Sequence, residues 1–200
     1  RVYIGFESIN QETLNAYRKH QRVDDIVRAI HTFHQYGIRI HGMFMFGADD
    51  DDHQTVKETV EFVARERIDT VQFLILTPFP GTETYERMAN QGRLLHNDWR
   101  FYDTMHVVFK PNQFSPYQLQ RHMWESFDSF YSIGSAAFEA LEALQDGALR
   151  ILGAVGRKMN ASSLENIALK LGGKLIVHNW MSKTNKKYLN YLQSLDILAR

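Results

Sequence analysis

Cysteine is missing from all 200 residues of the chain. That excludes disulfides, a thiolate metal site and a thiol nucleophile. No charge of one sign predominates: 23 Lys and Arg face 23 Asp and Glu, a formal net charge of zero. A neutral chain has no default attraction to nucleic acid or an anionic membrane, so neither is expected as a partner. No apolar run approaches the ~20 residues of a membrane-spanning helix, and no signal peptide is recognisable. His-Glu-x-x-His, Gly-x-Ser-x-Gly and the Walker loop are absent too. The composition is that of an ordinary globular protein, 44% apolar and 23% charged. A reducing, cytoplasmic setting is the expectation.

What is present is organised around Ile38 to Asp52, reading IRIHGMFMFGADDDD. An apolar run that breaks at Gly47 and passes into four aspartates reads as a strand buried on both faces, a tight turn and an acidic helix start. Helical spacing precedes it, with Val23, Ile26, Val27, Ile30 and Phe33 on one stripe and Gly37 at the C′ position. Helical spacing follows it in Val56, Val60, Phe62 and Val63, with Asp51 or Asp52 as cap. Val2 to Phe6 and Val71 to Leu76 add two further strands, and Asn10 can cap a helix from Glu12 to Lys19. Strands spaced by about 31 to 38 residues fit βαβ units with right-handed crossovers, hence a parallel sheet. Such folds place chemistry where strand passes into loop.

Beyond Gly92 the period changes. Trp99, Phe101 and Tyr102 make an aromatic loop suited to stacking on a substrate or plugging the core, and His106 to Phe109 reads as a short fourth strand. Ser115-Pro116-Tyr117-Gln118 is a helix start with a capping box. Leu119, Met123, Phe127 and Phe130 form its core stripe. Helical stretches are expected at Ala136 to Leu152, from Ser162, and at Asn185 to Leu198. Residues 1–111 thus read as an α/β unit and 112–200 as a helical C-terminal region. The first residues, lacking an initiator methionine and already strand-like, point to a fragment.

Candidate chemistry falls at the strand ends. Glu7 and Ser8 offer a carboxylate and a hydroxyl to a ribose or an amine, or simply end a strand. Gly47 lets backbone approach a flat ligand, with Met43 to Phe46 as an apolar wall. Four aspartates raise a calcium or magnesium site, but the EF-hand spacing is absent and helix capping explains them better. His31 and His34 lie three apart without a carboxylate that completes a metal motif.

Three blocks occur in order: Ile4-Gly5-Phe6-Glu7-Ser8-Ile9-Asn10, Gly37-Ile38 through Asp51, and Leu76-Thr77-Pro78-Phe79-Pro80-Gly81-Thr82 followed by Gly92-Arg93-Leu94. With the run from Asp98 to Pro111, they resemble the second half of the radical S-adenosylmethionine enzyme core, in the group that carries a cobalamin-binding domain. The resemblance spans about residues 2 to 131. It implies an α/β fold: a partial (β/α) barrel, the second half of a (β/α)6 barrel, followed by a mainly helical C-terminal extension. It implies that Glu7 and Ser8 face the ribose or methionine part of S-adenosylmethionine. Met45, Phe46 and Gly47 would lie beside its adenine, Leu76, Thr77 and Pro78 would contact it through backbone, and Lys19 would lie near its carboxylate. No catalytic or metal-ligating residue is assigned within the chain.

One departure stands out. The family holds a [4Fe–4S] cluster on a Cys-x3-Cys-x2-Cys motif, and here there is no cysteine. The resemblance therefore implies the C-terminal part of an enzyme that cleaves S-adenosylmethionine to a radical. The cluster, and cobalamin where the likeness to that group extends to it, would belong to the full-length protein, the missing N-terminal half of the barrel would be the partner and a small molecule the substrate. The chain alone would be inactive. Two rivals are a metal-dependent (β/α)-barrel enzyme using the aspartates and a non-catalytic helical interaction module.

Overall fold

The computed structural model describes residues 1–132, 161–179 and 185–198. Three parallel strands, β1 (Val2–Glu7), β2 (Ile40–Phe46) and β3 (Thr70–Ile75), form one sheet in the order β1-β2-β3. Helices α1 (Gln11–Ala16) and α2 (Val23–Gln35) connect the first pair, and α3 (His53–Arg65) the second. Then follow α4 (Glu83–Asn90), a 3-10 turn at Trp99–Phe101, α5 (Pro116–Phe130), α6 (Ala161–Asn179) and α7 (Lys186–Leu198). The sheet is open, with flanking helices. The expectation of a partial (β/α) barrel is corrected accordingly: among the described residues β1 and β3 end the sheet without a further strand partner. A fourth strand at His106 to Phe109 does not form either; Phe109 makes only an isolated antiparallel bridge to Leu94. The predicted helix Ala136 to Leu152 lies outside the described residues.

The caps explain where the helices begin. The Asn10 side chain accepts from the Glu12 and Thr13 N–H groups at 2.8 and 3.4 Å. Asp52 accepts from Thr55 N–H at 2.8 Å, and Ser115 with Gln118 closes a capping box at α5. Gly37, at φ 68°, ends α2 in the left-handed conformation that a side chain disfavours.

Strand alternation gives the sheet two unlike faces. Ile4 and Phe6, then Ile40, Gly42, Phe44 and Phe46, then Val71, Phe73 and Ile75 point toward the helices. A row of rings crosses this face. Phe6 meets Phe44 at 5.5 Å between centroids, Phe44 meets Phe62 of α3 at 6.3 Å, and Phe73 stacks on Phe46 at 5.4 Å. Phe127 of α5 packs edge-on against Phe73 at 5.3 Å. The opposite face carries Tyr3, Gly5, His41, Met43, Met45, Gln72 and Leu74. Burial along β2 alternates strictly, with Met43 and Met45 only half-buried. The expectation of a strand buried on both faces is thus corrected: methionine reads as apolar in either setting, and here it lines a half-open surface.

In the loop from Arg93 to Lys110, Phe101 and Tyr102 pack inward, while Trp99 stays 53% exposed. Phe101 stacks on Tyr188 of α7 at 4.4 Å, and the Tyr102 hydroxyl donates to the His96 carbonyl at 2.7 Å. Tyr188 also donates to the Val107 carbonyl at 2.8 Å, fastening α7 to this loop.

Candidate functional site at the carboxyl ends of the strands

In parallel sheets ligands gather at the carboxyl ends of strands, where loops replace ladder hydrogen bonds. At the end of β1 the register slips between Gly5 and Glu7, a bulge that leaves Glu7 at φ 66°. A non-glycine residue held there stores local strain of about 1–3 kcal/mol. The bulge re-aims the Glu7 carboxylate over Gly5, where any Cβ would collide with Glu7 Oε1. Lys19 reaches the same spot from the end of α1, donating to Glu7 Oε1 at 2.9 Å and to the Gly5 carbonyl. Both side chains keep about a third of their surface open, 27% for Glu7 and 31% for Lys19. A cation and an anion thus sit side by side at the rim of the half-open face. A recess of about 360 Å³, lined by Lys19 with Gln11, Asn15 and Arg22 among others, opens beside them.

The other predicted residues divide by face. Met45 lies on the half-open face beside Leu74. Phe46 lies on the covered face, 1% exposed and stacked on Phe73, so only its backbone reaches the edge, accepting from Leu76 N–H at 2.9 Å. Gly47, at φ 102°, is packed rather than cradling: a Cβ would lie 2.8 Å from Leu119 and 3.1 Å from Phe109. Ser8 is buried and accepts from Asn10 N–H at 3.0 Å. Thr77 is buried and donates to the Ile75 carbonyl at 3.1 Å, and Pro78 is buried after it. Glu7 and Lys19 therefore meet and Met45 lies on the half-open face of the same sheet, while Ser8, Phe46, Gly47 and Thr77 shape the loops.

Each of the four aspartates does something different. Asp49 pairs with Arg93 at 2.8 Å and Arg87 at 3.6 Å, Asp50 is exposed, and Asp52 caps α3. Asp51 is buried, accepting from the Gly47 and Ala48 N–H groups at 2.9 and 3.0 Å and from the Thr13 hydroxyl at 3.0 Å. The carboxylates diverge, and among the described residues no three His, Cys, Asp or Glu gather to hold a metal. That sets aside the metal-dependent rival built on them.

Tyr17 carries no signal for a site in the sequence, and Asp51 reads there only as a helix cap or as one of four clustered aspartates. Burial pushes the Asp51 carboxyl up from the ordinary 3.8 to about 6, against the opposing pull of its three hydrogen bonds. The Tyr17 hydroxyl is buried with no hydrogen-bond partner. Burial first, then the Asp51, Glu7 and Asp49 charges, raise its pKa. The buried Tyr17 hydroxyl thus lies within electrostatic reach of Asp51, Glu7 and Asp49.

Asp51 sets a pH dependence. Below 3.8 the group is protonated folded or unfolded. Between 3.8 and about 6 the unfolded chain has released the proton and the folded one has not, so stability falls as pH rises through that window and is flat above it. At ~1.4 kcal/mol per pH unit the loss totals about 3 kcal/mol. Asp51→Asn keeps the shape and removes the charge. Urea unfolding between pH 4 and 7 is expected to show this slope in the wild type and not in the variant, which should be the more stable at pH 7. An unchanged slope would show that Asp51 ionises freely in the folded chain.

No family model matches the chain. It is similar to a bacteriochlorophyllide d C-12(1)-methyltransferase of Chlorobaculum tepidum, 39% identical over 111 residues, which are 55% of the chain and 24% of that protein. It is 32% identical over 133 residues to a bacteriochlorophyllide d C-8(2)-methyltransferase of the same organism, covering 66% of the chain and 30% of that protein. An uncharacterized methyltransferase of Pyrococcus horikoshii matches at 32% over 130 residues, 65% and 28% of the two chains. The chain thus spans about a quarter to a third of the length of these relatives.

These similarities correct the reading drawn from the motifs. The names of the three relatives state methyl transfer, and none states radical cleavage, an iron–sulfur cluster or cobalamin. With no cysteine in the chain and no metal-ligand group among the described residues, the radical S-adenosylmethionine assignment, its [4Fe–4S] cluster and its cobalamin are withdrawn. So is the expectation of an inactive remnant of such an enzyme, because the three relatives just described are named as methyltransferases.

Proposed function

We propose that the chain forms part of a methyltransferase that takes its methyl group from S-adenosylmethionine, held at the carboxyl end of β1 beside the half-open sheet face. The observation that carries this reading is the Glu7–Lys19 pair seated over Gly5. Opposite charges side by side suit a zwitterion: Lys19 Nζ donates to an α-carboxylate, and Glu7 accepts from an ammonium or from ribose hydroxyls. Met45 and Leu74 supply apolar wall on the same face, with the backbone of Leu76 to Pro78 along the edge. When bound, S-adenosylmethionine supplies a methyl group on a positively charged sulfur. Glu7 holds negative charge nearby, and Met43, Met45 and Leu74 exclude water from the face.

The acceptor in this reading is a flat, largely apolar macrocycle. Two relatives are named for bacteriochlorophyllides, and the three half-buried apolar side chains of the face suit such a ligand. Among the described residues no helix is long and apolar enough to cross a membrane, and the reading places the chain in the cytoplasm, supported by its ordinary globular composition.

Methionine methyl NMR checks the location. Of the seven methionines, Met43 and Met45 line the face while Met88 and Met123 are buried in the core. Titration with S-adenosylmethionine is expected to shift the Met43 and Met45 signals, assigned through Met43→Leu and Met45→Leu, and to leave Met88 and Met123 in place. Shifts confined to the core methionines, or none, would place the ligand elsewhere or nowhere.

A further inference from the structure

The neutral total of the chain hides an asymmetry at its C-terminal end. Between Glu165 and Asp196 the sequence has five lysines, at 170, 174, 183, 186 and 187, and not one acidic residue. In the same stretch α6 carries apolar side chains on both of its sides. One side docks: Lys170 lies over the Phe130 ring at 4.8 Å, Gly173 lies so close to Tyr131 that a Cβ would be 2.5 Å from its ring, and Val177 packs against the core. The other side is solvent-exposed, with Leu171, Leu175 and Ile176 at 44%, 74% and 72%. Ala168 and His178 are exposed as well. At 3.6 residues per turn these five positions fall on one face. An exposed apolar stripe of this kind marks a contact surface.

Charge identifies the contact. Lys186 and Lys187 are exposed in the first turn of α7, which has no acidic residue to balance them. Cations there oppose the positive end of the helix dipole and cost stability unless an anionic surface lies against them. A basic segment joined to an exposed apolar helix face complements a bilayer with anionic headgroups, the apolar residues entering the acyl boundary and the lysines meeting phosphate. We propose that α6 and the start of α7 form a peripheral docking surface for an anionic lipid bilayer, with Leu171, Leu175 and Ile176 as the inserted residues and Lys186 and Lys187 as the headgroup contacts. The surface lies outside the Glu7–Lys19 site and does not rest on the methyl-transfer reading.

Vesicle co-sedimentation of the full chain tests it. The wild type is expected to sediment with phosphatidylcholine–phosphatidylglycerol vesicles, more weakly with phosphatidylcholine alone, and less as salt is raised. Lys186→Glu with Lys187→Glu should weaken binding to the anionic vesicles by at least about thirtyfold, from ~1 kcal/mol per basic residue. Leu175→Glu with Ile176→Glu should weaken binding to both vesicle types, with the circular dichroism spectrum unchanged because both positions are exposed. Failure of the wild type to sediment with anionic vesicles overturns the proposal. So does equal binding by the two double variants and the wild type. A wild-type dimer in solution that Leu175→Glu with Ile176→Glu dissociates, without vesicle binding, would assign the stripe to a second copy instead.

Discussion

Replacing Phe44 by alanine is expected to lower the unfolding free energy by about 3–5 kcal/mol, a large part of what a domain of this size has. Phe44 is 0% exposed at the centre of the sheet, with Phe6, Phe62 and Phe73 around it. Removing the ring takes away contacts to both neighbouring strands and to α3, and a cavity among three rings collapses poorly because each is held by others. The neighbouring Met43→Ala is the internal control. Met43 lies one position away in β2 but on the half-open face, and its replacement should cost less than half as much. Urea melts of the two variants decide the matter. Equal losses would mean that both faces are buried and that the half-open surface does not exist in solution.

The second large effect concerns function. Lys19→Met is expected to weaken S-adenosylmethionine binding by about 10–100-fold, the range of a charge-assisted hydrogen bond at 1.5–3 kcal/mol. Stability should change by less than about 1 kcal/mol, because the Glu7–Lys19 pair is part-exposed and such pairs contribute little to folding. Glu7→Gly separates strain from chemistry. Glycine adopts φ 66° without penalty, so the variant should fold at least as stably while losing the ligand. Calorimetric titration beside thermal melts reads both. A loss of binding matched by a loss of stability would mark the pair as structural only.

The elements of the fold that depend on neighbours in sequence were legible. Asn10, Asp52, Ser115 and Gly37 announce helix ends through side-chain chemistry that works over three or four residues, and the stripe of Leu119, Met123, Phe127 and Phe130 follows one helical period. What depends on distant contacts was not. Met43 and Met45 read as core because hydropathy does not tell a face packed under helices from one open to a ligand. Asp51 and Asp52 are adjacent and chemically identical, yet one is a cap and the other a buried acceptor, a difference set by Thr13 across the fold. Nor does glutamate advertise a left-handed backbone, so the bulge that aims Glu7 at Lys19 leaves no sequence signature. The loop at Phe101 is fixed by Tyr188, and His106 meets Asn185 at 2.7 Å, 79 positions along the chain. As for the candidate site, motif order proposed Glu7, Lys19 and Met45, which lie at or on the half-open face, together with Ser8, Phe46 and Gly47, whose neighbours in space turn them away from it.

Equilibrium dialysis of the full chain against methyl-labelled S-adenosylmethionine tests the central claim most directly, with Glu7→Gln/Lys19→Met as its comparison. Saturable binding at one site is expected in the wild type and its loss in the double variant, which keeps the wild-type melting temperature. Absence of saturable binding in the wild type, or equal binding by the double variant, would contradict it.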